Sequence, residues 1–461
     1  MAFTRTEELV IAARAERPVC PSVRLAEMTR CPRTPEMATD GTVQQFHQRP
    51  VAPSHRIGHS SAVPATDQPE SFNVQVGVNR VEIDRRVFNL LFQNSHRRTY
   101  VPILGAQTSG SISLHDLADH ARAAQIPLPL FFAPYEVAAA QVAHKTQALL
   151  SGTSKNAFSM NARSPVRLSD VELIVKDLLR KQQLLKRLDD TLVDNEVVGR
   201  LGSRRPRTIA DDANRLRELV GVDLAAFRAE RGNTGSLAHL IRCLESKQLL
   251  VSRNQPGYML QVVPPGVTFS GLAVKDRKIP YLFLGSSDDH YFEPAGRKTF
   301  TLVLLAALVA YGKFAPVSYT ETTRVEGTRR EYEVAAEFLM PACEVTPLAV
   351  NSLDDAKEHA RTFRVTPSAF VMRAWRLQSI KAAQADHYLA DLRREWNERP
   401  KKKGGGSASP VNAVKAYCGQ ELFNRMLAHM RADKINPTEF NRNVCLNRLS
   451  SGTVRDLRAG A

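Results

Sequence analysis

His55 and His59 stand four residues apart, the spacing at which one helical face can offer two imidazoles to a metal ion. No glutamate lies between them to act as a general base, and both fall in a Pro-rich stretch, so they read as two solvated histidines. The chain has no Gly-x-Ser-x-Gly elbow, and a serine hydrolase of that kind has no support. No G-x-x-x-x-G-K-[ST] loop is present to cradle phosphates. The six cysteines, at 20, 31, 243, 343, 418 and 445, include no C-x-x-C pair, which argues against a zinc ribbon and a disulfide scaffold. Cys243, Cys418 and Cys445 lie on apolar helical faces and read as packing residues.

Charge offers a different chemistry. The 461 residues carry a formal net charge of +16, which suits an acidic partner. The basic clusters are Arg85-Arg86, Arg97-Arg98, Arg204-Arg205 with Arg207, Arg393-Arg394 and Lys401-Lys402-Lys403. Phosphate contacts from Arg204, Arg205, Arg207, Lys401, Lys402 and Lys403 would give salt-dependent, mostly sequence-independent nucleic-acid binding. A solvated surface explains any single cluster equally well, and an acidic protein partner would also account for the charge.

The elements that would position these groups follow from periodicity. Residues 1–71 hold eight prolines and no lysine and show no sustained period, the composition of a disordered tail. Val74–Ile83 alternates apolar and polar residues, and Ile112–Ala124 has a helical pattern. A long amphipathic helix follows, with Val171, Ile174, Val175, Leu178, Leu179, Leu185, Leu188 and Leu192 on one face and Ser169 placed as its cap. Arg204–Arg207 reads as a linker, and Thr208 with Asp211 opens a further helix that ends before Gly221. Strands are expected at Tyr258–Val263, Val267–Val274 and Ile279–Leu284. Helices are expected at 236–247, 297–311, 329–340, 353–363, 367–398, 411–431 and 437–446. The mostly apolar run Phe300–Tyr311, twelve residues long, is too short to cross a bilayer and reads as a core helix. The N-terminus lacks the apolar core of a secretory signal, so a cytoplasmic protein is expected.

Four fragments taken in order carry a resemblance. They are Phe269-Ser270-Gly271, the strand ending at Gly285, Arg297-Lys-Thr-Phe-Thr-Leu302, and Ala335-Ala-Glu-Phe-Leu-Met-Pro341. With the helices around Leu353–Phe363 and Val365–Leu377, they resemble the ImmA/IrrE family of zinc metallopeptidases across about 170 residues. Leu114–Ala118 followed by Pro127–Phe132 is similar to the last helix and exit of the Xre-type helix-turn-helix domain found upstream in that family. Residues 87–111 lack a clean helix-turn-helix pattern. The few, grouped strands among many helices read as an α+β, mainly helical fold, and the resemblance implies the same. A helical Xre-like domain would span 72–205, a zincin-like domain 206–380, and a basic helical C-terminal extension 381–461.

The same resemblance places the family's H-E-x-x-H on Leu304, Leu305 and Leu308, and its third ligand near Arg330, with Glu331 and Glu333 close by. Zinc needs lone pairs that leucine lacks. The chain therefore reads as a pseudopeptidase with no catalytic residues, no metal and no cofactor. The family context implies an antitoxin-like regulator that neutralises a small toxin partner, such as a PIN-like nuclease, and also contacts DNA. Leu178 and Leu185, on the long leucine-faced helix, are the candidate partner-binding residues. Two alternatives stay open. One is an active zinc endopeptidase that cleaves a repressor, with displaced ligands among His290, Cys343 and His359. The other is a DNA-binding regulator without a toxin.

Overall fold

The computed structural model describes residues 71–152, 167–202, 207–255, 257–259, 261, 263, 270–285, 294–317, 330–398 and 409–460. Apart from Ser71, the expected tail lies outside them. The described chain is mainly helical with two small sheets, an α+β fold, and none of its helices is long and apolar enough to cross a membrane.

The first core adds a small three-stranded sheet to the expected helical N-terminal domain. The alternation over Val74–Ile83 forms a hairpin of β1 (Ser71–Val76) and β2 (Asn79–Asp84). Asp84 accepts from the Arg86 amide (2.8 Å) and caps α1 (Arg85–Gln93). After α2 (Val101–Ser109), β3 (Ser111–Ser113) pairs parallel to β1, and α3 (Leu114–Ala123) and α4 (Tyr135–Leu150) follow. Phe72 stacks on Phe88 at 4.0 Å, and Phe92 and Phe131 complete a small aromatic core.

The long helix is α5 (Glu172–Leu188), preceded by a 3-10 turn at Leu168–Asp170. Its cap residue is Val171, not Ser169, and no side chain caps it. Asp170 is turned instead to Arg98, whose guanidinium donates to both its oxygens at 2.7 and 2.8 Å. Next come α6 (Ile209–Val220), with the Thr208–Asp211 capping box and Gly221 as its left-handed end, then α7 (Leu224–Ala229) and α8 (Gly232–Ser246).

A four-stranded sheet organises the rest. Its strands are β4 (Leu250–Arg253), β5 (Gly271–Val274), β6 (Tyr281–Leu284) and β7 (Pro316–Val317), ordered β4-β6-β5-β7. Only β4 and β6 run parallel; β5 is antiparallel to both β6 and β7. Between β6 and β7 lies α9 (Ala295–Ala310). Then follow α10 (Arg330–Leu339), α11 (Ala342–Val345), α12 (Leu353–Thr362), α13 (Pro367–Arg376), α14 (Ala382–Glu398), α15 (Pro410–Cys418), α16 (Gln420–Arg431), α17 (Pro437–Asn443) and α18 (Ser451–Ala459).

Alternate strand residues point into two different cores. Val251, Ala273, Leu282, Leu284 and Val317 join the core built on α6, α8, α9, α10 and the helices through α14. Leu250, Leu272, Val274, Tyr281 and Phe283 join a second core with α5 and α15 to α18. Residues 409–460 are therefore no appendage: they cover one face of the sheet together with α5. The expected boundaries at 205/206 and 380/381 cut across these cores, because α5 packs with the C-terminal helices and α14 packs with the preceding domain. The expected strand at Tyr258–Val263 is not found among its described residues; the missing partner was β4, a four-residue strand directly after α8.

One carboxylate joins the two cores. Glu245 of α8 accepts from the amides of Val251 (3.3 Å) and Gln420 (3.0 Å) through Oε1, and from the amide of Glu421 (3.2 Å) through Oε2. It thus caps the first turn of α16, where the free amides and the helix dipole favour negative charge. Gly419, at φ +87°, makes the approach possible: a Cβ there would lie 3.1 Å from Glu245 Oε1 and 3.2 Å from the Val251 carbonyl. Burial nevertheless pushes the Glu245 carboxyl up to about 7, against the pull of the three amides.

Two outcomes follow from this packing. Leu178 and Leu185 are fully buried beneath the C-terminal helices, so Leu178→Ala should lower unfolding stability by about 2–5 kcal/mol in urea titrations. An unchanged midpoint would mean that this face is not covered. Between the ordinary carboxylate range and pH 7, the folded state keeps the Glu245 proton that the unfolded chain releases. Stability should therefore fall as pH rises through that window and level off above it, and Glu245→Gln should flatten this slope in thermal melts recorded across pH 4.5–8.

Candidate functional site

Helix α9 is apolar for most of its length and lies between the sheet and the helices α8 and α10. Its approach to β5 is so close that a Cβ on Gly271 would sit 2.9 Å from a Leu305 methyl and 3.1 Å from the Thr301 methyl, and the Phe283 carbonyl of β6 would lie 2.8 Å away. That contact accounts for the glycine of the Phe-Ser-Gly fragment. The three positions singled out on this helix are core residues: Leu304 and Leu305 are 0 % exposed and Leu308 is 7 % exposed.

Beside the C-terminal end of α9, a buried carboxylate gathers donors from three side chains. Asp212 of α6 accepts from Arg207 Nε (2.8 Å) through Oδ1. Through Oδ2 it accepts from the Tyr311 hydroxyl (2.5 Å) and from Arg330 Nε and Nη2 (2.9 and 2.6 Å). Burial by itself would raise the pKa of Asp212; the hydrogen bonds from Tyr311, Arg330 and Arg207 outweigh it and hold the carboxyl below its ordinary value. Tyr311 moves the other way, to about 12, through burial and its bond to the carboxylate. This clamp ties α6 to the ends of α9 and α10.

The other acids near that point are also engaged. Glu331 pairs with Lys313, and Glu333 with Arg373 and Arg376 at 3.5 and 3.3 Å. A zinc ion does not fit these residues: two positions are leucines sealed in the core, and the third carries an arginine bound to Asp212. Of the displaced ligands considered, His290 lies outside the described residues, Cys343 is exposed, and His359 Nε2 lies 3.0 Å from the Ala349 carbonyl. Among the described residues, no group of three or more His, Cys, Asp or Glu side chains is placed to hold a metal ion.

Arginines explain the Ala-Glu-Phe-Leu-Met-Pro fragment. Pro341 ends α10, leaving its last carbonyls without helical donors. Arg217 donates to the carbonyls of Glu337 (2.7 Å) and Phe338 (3.1 Å), Arg228 to that of Leu339 (3.3 Å), and Arg373 to that of Met340 (3.1 Å). Arg373 also pairs with the Glu337 carboxylate, which accepts from the Ala342 amide at 3.1 Å.

The remaining candidate residues are scattered. Leu178 and Leu185, expected to face a partner, are internal; the chain's own α15 to α18 occupy that face. Arg207 is spent on Asp212 and on the Leu201 carbonyl (3.1 Å). Arg204, Arg205, Lys401, Lys402 and Lys403 lie outside the described residues, as do His55 and His59. Cys418 and Cys445 are buried and Cys243 is half-buried, and burial pushes the Cys418 thiol up to about 12. Sequence reasoning passed over the buried pair of Lys181 and Asp177 on α5, with the Lys181 ammonium 5.1 Å from the centre of the Tyr417 ring. The signal was present, since a lysine and an aspartate four residues apart fall within the leucine stripe.

Asp212→Asn should lower stability by about 1–3 kcal/mol in denaturant titrations, because the arginine donors lose a charged acceptor. In the parent chain that contribution should fade as pH falls through the depressed pKa of Asp212. Equal stability of the two chains at neutral pH would show that the clamp is dispensable. No family model matches the chain, and neither a curated protein nor a solved structure matches it.

Proposed function

We propose that this chain is a non-catalytic regulatory protein in which a peptidase-like core serves as a binding module. Its role is antitoxin-like: it holds a small protein toxin inactive. The observation that carries the non-catalytic part is the packing of Leu304, Leu305 and Leu308 into the core. The resemblance to the ImmA/IrrE family puts two zinc ligands and a general base at those positions, and three leucines there serve packing instead of water activation. The Asp212 clamp supports the same reading, because ion pairs take up the acids and the arginine that border this end of α9.

The partner reading rests on the family context and on charge. A net charge of +16 favours a partner with an acidic surface and speeds its capture. Burial of Leu178 and Leu185 moves the search for the interface away from α5, so polar substitutions there would report on folding and not on binding.

Native mass spectrometry of the protein purified gently from its own host, after nuclease treatment, tests the proposal. A stoichiometric small protein and no bound zinc is the expected result. One zinc retained per chain would overturn the non-catalytic reading. A chain that comes without a protein partner but binds its own upstream DNA selectively would replace the antitoxin role with a transcriptional one.

A further inference from the structure

A cavity of about 270 Å³ opens where the first core meets the start of α5. Its lining includes Asn94 after α1, Lys145 and Thr146 of α4, Arg167 and Ser169 before α5, and Glu172 in its first turn. We propose that this cavity is a binding site for a small oxyanion of the phosphate class, held by Arg167 and Lys145.

The local charges favour an anion. The one carboxylate among the described lining residues, Glu172, is buried, and both of its oxygens are taken: Oε2 accepts from Lys145 Nζ at 3.1 Å and Oε1 from Lys176 Nζ at 2.7 Å. Two lysines therefore share one negative charge. Lys145 Nζ also donates to the Asn94 carbonyl at 2.5 Å, and an ammonium has three donors, so one remains for a ligand. The nearby carboxylate of Asp170 is bound to Arg98 and to the Arg167 amide, at 2.8 Å from the latter. Arg167 is exposed, and no described carboxylate pairs with its guanidinium. Its planar fork suits the oxygens of a phosphate group.

A neighbouring histidine senses the same positive field. His96 is buried, and its pKa falls to about 4, first through burial and then through Arg97, Lys176 and Lys145. A neutral imidazole adds no charge of its own, while the cations around it are left with few counter-charges. The cavity's size admits an oxyanion or the phosphate end of a larger molecule; it is too small to enclose a dinucleotide.

The site is independent of the antitoxin reading and is tested separately. Isothermal titration calorimetry of the full chain in chloride buffer would use inorganic phosphate and, in a second series, adenosine monophosphate. One saturable site is expected. Arg167→Glu should weaken it by about tenfold or more without changing the melting temperature, because this side chain is exposed. Arg455→Glu, an exposed charge reversal on α18, should leave it unchanged. Lys145→Gln is the second binding variant, with its melting curve checking that α4 still docks. Binding of the monophosphate with the same loss in Arg167→Glu would identify a phosphate carried on a larger molecule; binding of phosphate alone would identify the free ion. Heat that never saturates, or equal weakening by Arg455→Glu, would mean diffuse attraction to a basic surface and would overturn the proposal.

Discussion

The four-stranded sheet β4-β6-β5-β7 is buried on both faces, and the arrangement of the helices around it follows from that constraint. A strand exposes alternate side chains to opposite sides, so four residues such as Tyr281-Leu-Phe-Leu284 need two separate covers. One comes from α8, α9 and α10, contiguous with the strands in sequence. The other comes from α5, upstream of the sheet, and from α15 to α18, far downstream. Burying a large apolar side chain is worth about 1.5–3 kcal/mol, so neither layer can leave without exposing many such contributions.

Charged groups sit where these layers join. Glu245 links α8 to the start of α16, Asp212 links α6 to the ends of α9 and α10, and Arg217, Arg228 and Arg373 close the end of α10. Each satisfies backbone or side-chain groups that burial would otherwise strand. The Lys181–Asp177 pair is of another kind, enclosed in the second core. Such a pair adds little net stability, but losing one partner leaves a buried charge that costs about 3–5 kcal/mol.

Much of this was legible from local pattern. The Thr208–Asp211 box, the left-handed end at Gly221, the core helix around Phe300–Tyr311 and the strands ending at Val274 and Leu284 all appear where periodicity placed them. Helices read as continuous over 367–398 and 411–431 are broken near Gln378 (φ +60°), where Gln378 and Ser379 donate back to the Trp375 and Ala374 carbonyls, and at Gly419, where a long-range contact fixes the bend. The break at Gly419 depends on a carboxylate 174 residues upstream in the numbering, Glu245, and no window along the chain contains both. The N-terminal hairpin was visible as an alternation but was subordinated to an expected helical domain.

At the candidate site the division is similar. Leucines at 304, 305 and 308 within an apolar run require, by composition alone, a helix that is buried all round. A leucine stripe on α5 likewise requires that one face be covered. Hydrophobic burial has no direction, however, so the stripe does not say whether the cover is a partner or the chain itself. Only the tertiary structure decided that, by laying α15 to α18 over Leu178 and Leu185. It also decided that Arg207 and Arg330 converge on Asp212 while Arg167 and Lys145 line a cavity. The reason is that a charge pairs with whatever the fold brings within a few ångströms, and residues remote in sequence set that distance.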